Sequence, residues 1–368
     1  MKICYIISEI DKAVFFEDTA IQLRSQGVEL SFVLINSTNG KLHQFLCQHQ
    51  FEVITLEVGS LLHSRKQIVV CKRWLVQQQI THVHCHLAQA NWIGLWASKI
   101  AGVKNRIYTR HSGKPLHLNW KEKIIDKVQN YLATQIVAIS QNIDELLEEQ
   151  KVPKHKRIII HHGFDIQRFS TNDQNEVNRI RSQYNPNQKR PVIGVIARRF
   201  ELKGIQYVIQ AFHNLLNDYP DALLCLFGDP NSGDYTQELN QMLTTLPSDN
   251  VSSISFEYNV FDLYSLFDVY VHVPINQTCE AFGQTYVEAL ASKVPSVFTL
   301  SGVAREFIID RENALVVPFK DEKAILHSIK MLLEDKELAD NISTKGYSAV
   351  IDLFSFSNYI KKLTILYK

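Results

Sequence analysis

Short apolar runs alternate along this chain with stretches whose apolar positions recur every three to four residues. In the first half, Lys2–Ile7, Glu29–Leu34, Phe51–Glu57, His82–His86, Arg106–Arg110, Gln135–Ile139 and Arg157–His161 read as strands. Helical periodicity fills Ala13–Gln26, Arg65–Gln79, Ala88–Ala101, Trp120–Thr134 and Gln141–Glu149, with Gly27 and Gly102 as C-caps. Between Phe169 and Pro191 the chain turns polar and Asn/Gln-rich, the composition of a linker. The alternation then restarts. Strands are expected at Val192–Ala197, Ala222–Phe227, Ser253–Glu257, Val269–Val273, Ser296–Leu300 and Ala314–Val317, and helices at Ile205–Asn217, Tyr235–Leu246, Phe261–Phe267 and Gln284–Ser292.

Strands separated by helix-length segments imply parallel sheets, so the fold class is α/β with two Rossmann-like, doubly wound domains facing across a cleft. The expected boundaries are 1–175, 190–345 and a terminal helix, 346–368, that packs back on the first domain. A length of 368 residues suits two domains of about 150–200 residues each. Six scattered cysteines without a CxxC pair argue against a disulfide scaffold or a cysteine-built zinc site, and read as small buried hydrophobes. The N-terminal apolar run is too short for a signal peptide and no stretch suits a membrane span, so the expected location is cytoplasmic.

Two windows carry candidate chemistry. In Val192–Gly204, an apolar strand is followed directly by Arg198, Arg199 and Lys203, and cations at a strand's C-terminal edge can neutralise a diphosphate. The same cations could instead form a surface cluster with Glu201. In Val269–Glu288, an apolar strand ends at Pro274 and a loop leads through Glu280, Ala281, Phe282 and Gly283 into a helix starting near Gln284. Amides at such a start favour an anion, and one carboxylate of the Glu280/Glu288 pair could face a sugar while the other takes a ribose diol. Alternatively, Glu280 caps the helix and Glu288 is solvated. His82, His84 and His86 alternate on one strand, but no carboxylate accompanies them, so a metal site is not expected.

Taken together, Arg198-x4-Lys203-Gly204, LFGDP, the strand before Pro274 and EAFGQTYVEALAS with Glu280-x7-Glu288 resemble the retaining glycosyltransferases of family 4 (group 1), which have the GT-B fold. AISQ at Ala138–Gln141, His162-Gly163-Phe164-Asp165 and SGVAREFIIDRENALVV extend the likeness nearly end to end. The resemblance implies that Arg198 and Lys203 bind the diphosphate of a UDP- or GDP-sugar, without a metal or other cofactor. It implies further that Glu280 lies near the transferred sugar, that Ala281, Phe282, Gly283 and Gln284 offer amides to sugar or phosphate, and that Glu288 holds the ribose. Tyr258 and Asn259 fall where the family frames the base, His111 matches its active-site histidine, and His86 and Arg110 lie on the acceptor side. Three departures stand out: Ser8–Phe15 lacks the usual glycine pair, Ser292-Lys293 replaces a glycine, and Val303 follows Gly302.

The function so implied is transfer of a hexose to an acceptor hydroxyl with retention, in cell-surface polysaccharide, glycolipid or lipid-linked glycan synthesis. A nucleotide-sugar 2-epimerase or a non-catalytic sugar-nucleotide-binding protein are the alternatives. Charge refines the partners. The chain's net charge is +1, yet residues 1–170 hold 21 Lys and Arg against 14 Asp and Glu, and residues 171–368 hold 18 against 24. Residues 61–128 alone carry 12 basic and 2 acidic residues with four tryptophans, which suits an anionic acceptor or peripheral contact with an anionic membrane face and not a nucleic acid. A solvated face over core tryptophans is the other reading. Eleven of the fourteen histidines lie in residues 1–170, so this half is the one expected to respond to mild acid.

Overall fold

The computed structural model describes residues 1–11, 13–59, 64–113, 120–229 and 234–368. Two compact units emerge, Met1–Phe164 with Phe356–Lys368, and Asp165–Ser355. The first contains β1 (Lys2–Ser8), α1 (Val14–Ser25), β2 (Glu29–Ile35), α2 (Lys41–Gln48), β3 (Glu52–Leu56), α3 (Arg65–Gln77) and β4 (His82–His86). It continues through α4 (Ala88–Ile100), β5 (Asn105–Arg110), α5 (Trp120–Leu132), β6 (Gln135–Ala138), α6 (Gln141–Glu149) and β7 (Arg157–Ile159). All seven strands are parallel, in the order β3-β2-β1-β4-β5-β6-β7. Because helices cover the sheet, its central strands are buried, β1 from Ile3 to Ser8 and β2 from Ser31 to Ile35.

The second unit begins with α7 (Ile166–Ser170) and α8 (Gln174–Tyr184), then β8 (Val192–Ile196), α9 (Ile205–Leu215), β9 (Leu223–Phe227), α10 (Asp234–Leu243), β10 (Val251–Ile254), α11 (Val260–Leu263) and β11 (Val269–His272). It closes with α12 (Gln284–Ala291), β12 (Ser296–Phe298), α13 (Ala304–Phe307), β13 (Leu315–Val316), α14 (Glu322–Glu334) and α15 (Lys336–Phe354). Its six strands run parallel as β10-β9-β8-β11-β12-β13. Ile193, Val195, Phe212, Leu224, Val271, Val297 and Ile329 lie in its core. In both sheets the strand order reverses beside the first strand of the unit, and ligands of open α/β sheets bind outside the strand ends at that switch point.

Three boundaries differ from the sequence reading. The stretch Phe169–Pro191 is no free linker, because α8 buries Val177, Ile180 and Tyr184 within the second unit, and the change of unit falls at Phe164/Asp165. Its polarity misleads because a helix with one narrow apolar stripe needs few hydrophobes. The expected terminal helix, 346–368, is two helices, α15 ending at Phe354 and α16 (Phe356–Tyr367) after a break at Ser355. α16 belongs to the first unit, burying Tyr359, Ile360, Leu363 and Tyr367 against Ile3, Tyr5, Phe16 and Ile160, at about 1.5–3 kcal/mol per side chain. The Phe356 amide donates to the Phe164 carbonyl at 3.0 Å, fixing where the chain re-enters that unit.

Among the cysteines, Cys4, Cys71, Cys85 and Cys225 are buried and unpaired as expected, Cys279 is half-buried, but Cys47 is exposed on α2. No helix of the described residues is long and apolar enough to cross a membrane.

Candidate active site

The second unit assembles its polar side chains at the strand ends beside β8 and β11. Past β8 the chain makes a single tight turn over Glu201–Lys203 that closes at Gly204, with φ +72°. A Cβ at Gly204 would sit 2.0 Å from the Val273 carbonyl oxygen. Only glycine lets this turn pass against the end of β11, and the Ile275 amide then donates to the Leu202 carbonyl at 3.1 Å. The turn thereby brings Lys203 to Glu280, with Nζ 2.5 Å from Oε1. The same oxygen accepts from His272 Nε2 at 2.9 Å, and the Glu280 amide donates to Ser301 Oγ at 3.1 Å. Gly302 (φ +56°) allows the β12–α13 loop to lie against Glu280, since a Cβ there would be 2.7 Å from the Glu280 Cβ.

Glu280 is 7% exposed. Burial alone would raise its pKa, but the His272 hydrogen bond and the positive charge of Lys203 outweigh it and hold the carboxyl at about 2. His272, 3% exposed, is itself pushed below the usual imidazole range by burial, with Glu280 opposing. Its Nδ1 is buried with no hydrogen-bond partner among the described residues, so the neutral ring donates through Nε2. Lys203, Glu280 and neutral His272 thus meet at one carboxylate oxygen.

Glu288 sits one face further along α12. Its Oε2 accepts from Tyr264 Oη at 2.9 Å, and burial raises its pKa to about 7 despite that bond. The carboxyl is not a solvated surface group. The N-terminus of α12 follows Gly283 (φ +90°) without a side-chain cap, next to exposed Gln284. Arg198 is exposed, its guanidinium 5.0 Å from the Phe200 ring centroid, and among the described residues it pairs with no carboxylate, Glu201 included. Arg199 behaves differently. It is 9% exposed and donates to Ser253 Oγ at 2.6 Å. Tyr258 is 87% exposed and packs edge-on to Phe256. Asn259 is occupied otherwise. Its Oδ1 caps α11 by accepting from the Asp262 amide, and its Nδ2 donates to Asp262 and Glu176, which leaves the side chain no evident capacity to frame a base.

In the first unit, His111 follows β5 and its Nε2 lies 3.0 Å from Nδ1 of His86 at the end of β4. His162 stacks on His111 at 5.4 Å and 14°. Burial drives these rings to low pKa, about 4 for His111, about 3 for His84 and His162, and well below the usual value for His86. All are neutral at pH 7. Arg110 is committed to structure, contrary to its expected acceptor role, since its two terminal nitrogens pair with Asp126 at 2.7 and 2.8 Å and Nε donates to the Ser112 carbonyl. His84 bridges Thr109 Oγ1 and the Tyr367 hydroxyl, which in turn bonds Tyr5, so this member of the histidine strand ties α16 to the sheet. Among the described residues no group of three or more His, Cys, Asp or Glu is arranged to hold a metal ion.

The atypical loops are also legible in the backbone. Glu9, in the glycine-poor Ser8–Phe15 loop, has φ +57°, and Lys293 has φ +56° at the place of a missing glycine. Lys293 gains a compensating contact, its ammonium lying 4.5 Å from the Tyr347 ring centroid. Lys12 of the first loop lies outside the described residues. Sequence reasoning missed His272, Tyr264 and Ser301. A histidine closing an apolar strand eight residues before Glu280 was the available signal for the first of these.

Comparison with known proteins matches two family models, Glycosyltransferase Family 4 over residues 13–168 and Glycosyl transferases group 1 over residues 176–349. Similar relatives include the capsular polysaccharide biosynthesis glycosyltransferase CapM of Staphylococcus aureus, 24% identical over 66% of this chain, and the mannosylfructose-phosphate synthase of Agrobacterium fabrum, 25% identical over 76%. The chain spans 64% and 63% of the length of those two relatives. Among solved structures, Anabaena HepE in complex with UDP and glucose aligns with a TM-score of 0.84 at 21% identity, covering 99% of this chain and 98% of that one. The fold shared with such neighbours is GT-B, two parallel-sheet α/β domains. This chain belongs to the group 1 glycosyl transferases of glycosyltransferase family 4.

Proposed function

We propose that this glycosyltransferase moves a hexose from a UDP- or GDP-sugar to an acceptor hydroxyl with retention of anomeric configuration, in the synthesis of a cell-surface polysaccharide, glycolipid or lipid-linked glycan. One observation carries the reading: the Lys203–Glu280 pair at the β8/β11 switch point, with Glu288 on the adjoining helix. Arg198 and Lys203 hold the donor diphosphate, Ala281–Gln284 present backbone to sugar and phosphate, Glu280 faces the sugar, and Glu288 accepts from the ribose diol. Tyr258 is the remaining candidate for the base. The bond from the anomeric carbon to the donor phosphate oxygen breaks, and a bond from that carbon to the acceptor oxygen forms on the same face. The acceptor proton passes to the departing phosphate, whose charge Arg198 and Lys203 stabilise. In the first unit, His111, oriented by His86, contributes to sugar and acceptor placement.

HepE in complex with UDP and glucose, and a capsular polysaccharide enzyme among the relatives, support donor and product class. A membrane-facing acceptor accords with the first unit, where exposed Val69, Val76, Ile100, Trp120, Ile124 and Tyr131 share α3–α5 with Lys99, Lys121, Lys123 and Lys127. Residues 61–63 and 114–119 of this basic stretch lie outside the described residues. Thermal shift against UDP-glucose, UDP-N-acetylglucosamine and GDP-mannose tests the donor: one should raise the melting point, and stabilisation by none would sink the reading. Flotation with anionic and neutral vesicles tests the surface, and equal binding to both would overturn it.

A further inference from the structure

We propose that His272 is a positioning residue that keeps the Glu280 carboxylate fixed while Lys203 turns from it to the donor diphosphate. The inference rests on the donor-site reading above and adds a part to it. In the structure one oxygen of Glu280 receives both the Lys203 ammonium at 2.5 Å and His272 Nε2 at 2.9 Å. A compact ammonium cannot keep both partners at full strength once a doubly charged diphosphate enters beside it. Lys203 has the means to move, being a long unbranched side chain on a surface turn, 16% exposed. Glu280 does not, since it is buried and pinned through its amide to Ser301. A buried carboxylate that loses its cation and keeps no donor would swing out or take up a proton.

His272 supplies a donor that stays. It projects from the last residue of β11, is 3% exposed, and its ring is wedged edge-on against Tyr286 at 4.7 Å. Its other nitrogen is buried and has no partner among the described residues, so the ring is committed to the Glu280 oxygen. Strand, packing and tautomer therefore all direct Nε2–H at Glu280. The cluster works as a relay of partners. Lys203 neutralises Glu280 until a donor binds, the diphosphate then takes Lys203, and His272 holds the carboxylate in place for the sugar.

The test compares His272→Leu, which keeps the packing and removes the donor, with His272→Gln, whose amide can still donate. Wild type is first assayed for hydrolysis of UDP-glucose, UDP-N-acetylglucosamine and GDP-mannose, so that failure of the donor reading itself registers separately as no turnover with any of them. On the donor that wild type turns over, His272→Leu should lower kcat about 10- to 100-fold, the loss expected of one hydrogen bond to a charged group. Affinity for the free nucleoside diphosphate, which lacks the sugar, should stay within about twofold of wild type. The acid limb of the kcat profile should move to higher pH, because Glu280 is no longer held ionised, and His272→Gln should recover most of kcat. An unchanged kcat and pH profile in His272→Leu would overturn the proposal. So would equal losses in nucleotide affinity and kcat, the mark of a purely structural residue, or a folded His272→Gln no better than His272→Leu.

Discussion

Removing the Lys203 ammonium should destabilise the second unit by an amount that the geometry fixes. In Lys203→Met the buried Glu280 carboxylate keeps only the His272 donor among the contacts described above. Breaking a buried pair by deleting one partner costs about 3 kcal/mol, and the depression of the carboxyl to about 2, which His272 and Lys203 produce together against burial, sets the pH dependence of that cost. The sign follows from the depressed carboxylate. The contribution is fully present above about pH 4.5 and is lost as pH falls towards 2. Lys203→Met should therefore be penalised at pH 7 and much less so near pH 3. For a unit the size of Asp165–Ser355, about 3 kcal/mol lowers the melting point by roughly 6–12 °C. The assay is thermal and urea denaturation by far-UV circular dichroism, with hydrogen exchange over Gln284–Ala291 to localise the loss. Glu280→Gln and the double variant complete the cycle. With the carboxylate gone, Lys203→Met should cost little. If it costs as much in the Glu280→Gln background as in wild type, the two residues do not interact and the reasoning fails.

The other expectations are briefer. Glu288, raised by burial to about 7, must be ionised to accept from a diol, so the Kd for UDP-glucose should weaken about tenfold from pH 8 to pH 6, and Glu288→Gln should bind more weakly with a flat profile; a wild-type Kd independent of pH would contradict this. The buried histidines act in the opposite sense to a salt-bridged one. Their folded pKa values lie below 6.5, so stability is intact near pH 7 and is lost as pH falls from about 6.5 towards 3–4. At pH 5.5, His84, His111 and His162 should each cost about 1 kcal/mol, lowering the first unit's melting point by several degrees. All four tryptophans lie in residues 1–170, so indole fluorescence reads that unit, and superimposable melts at pH 7.5 and 5.5 would refute it. Gly204→Ala forces a Cβ onto the Val273 carbonyl and should cost about 2–3 kcal/mol, with most turnover lost as Lys203 shifts; a near-native melting point would show that the turn does not need glycine.

Much of this was legible before any coordinates. His82–His86 was bounded to the residue, and β1, β8 and β11 within one; β1 and β8 stop just before the charged Glu9 and Arg198. The Arg198/Lys203 and Glu280/Glu288 windows were visible because glycines punctuate them. What stayed hidden follows from physical ambiguity. α8 and α2 bury only a few side chains each, so their stripes are lost among polar residues. Arg110 looked free beside His111 because its partner Asp126 lies sixteen residues on, in α5. Asn259 resembles a ligand contact in one dimension and is a helix cap in three. His272 looked like the end of a core strand, and its role depends on a carboxylate across a loop.

The account's central claim is that the Lys203–Glu280 site takes a nucleoside diphosphate sugar and breaks its glycosyl–phosphate bond with retention. Proton NMR of UDP-glucose, UDP-N-acetylglucosamine and GDP-mannose, incubated with wild type and with Lys203→Met, tests it most directly. The predicted result is free nucleoside diphosphate together with a sugar that first appears as the donor's own anomer, from one of the three, at a rate reduced at least tenfold by the substitution. An inverted product, a donor isomerised with its diphosphate still attached, or a rate indifferent to Lys203 would contradict it.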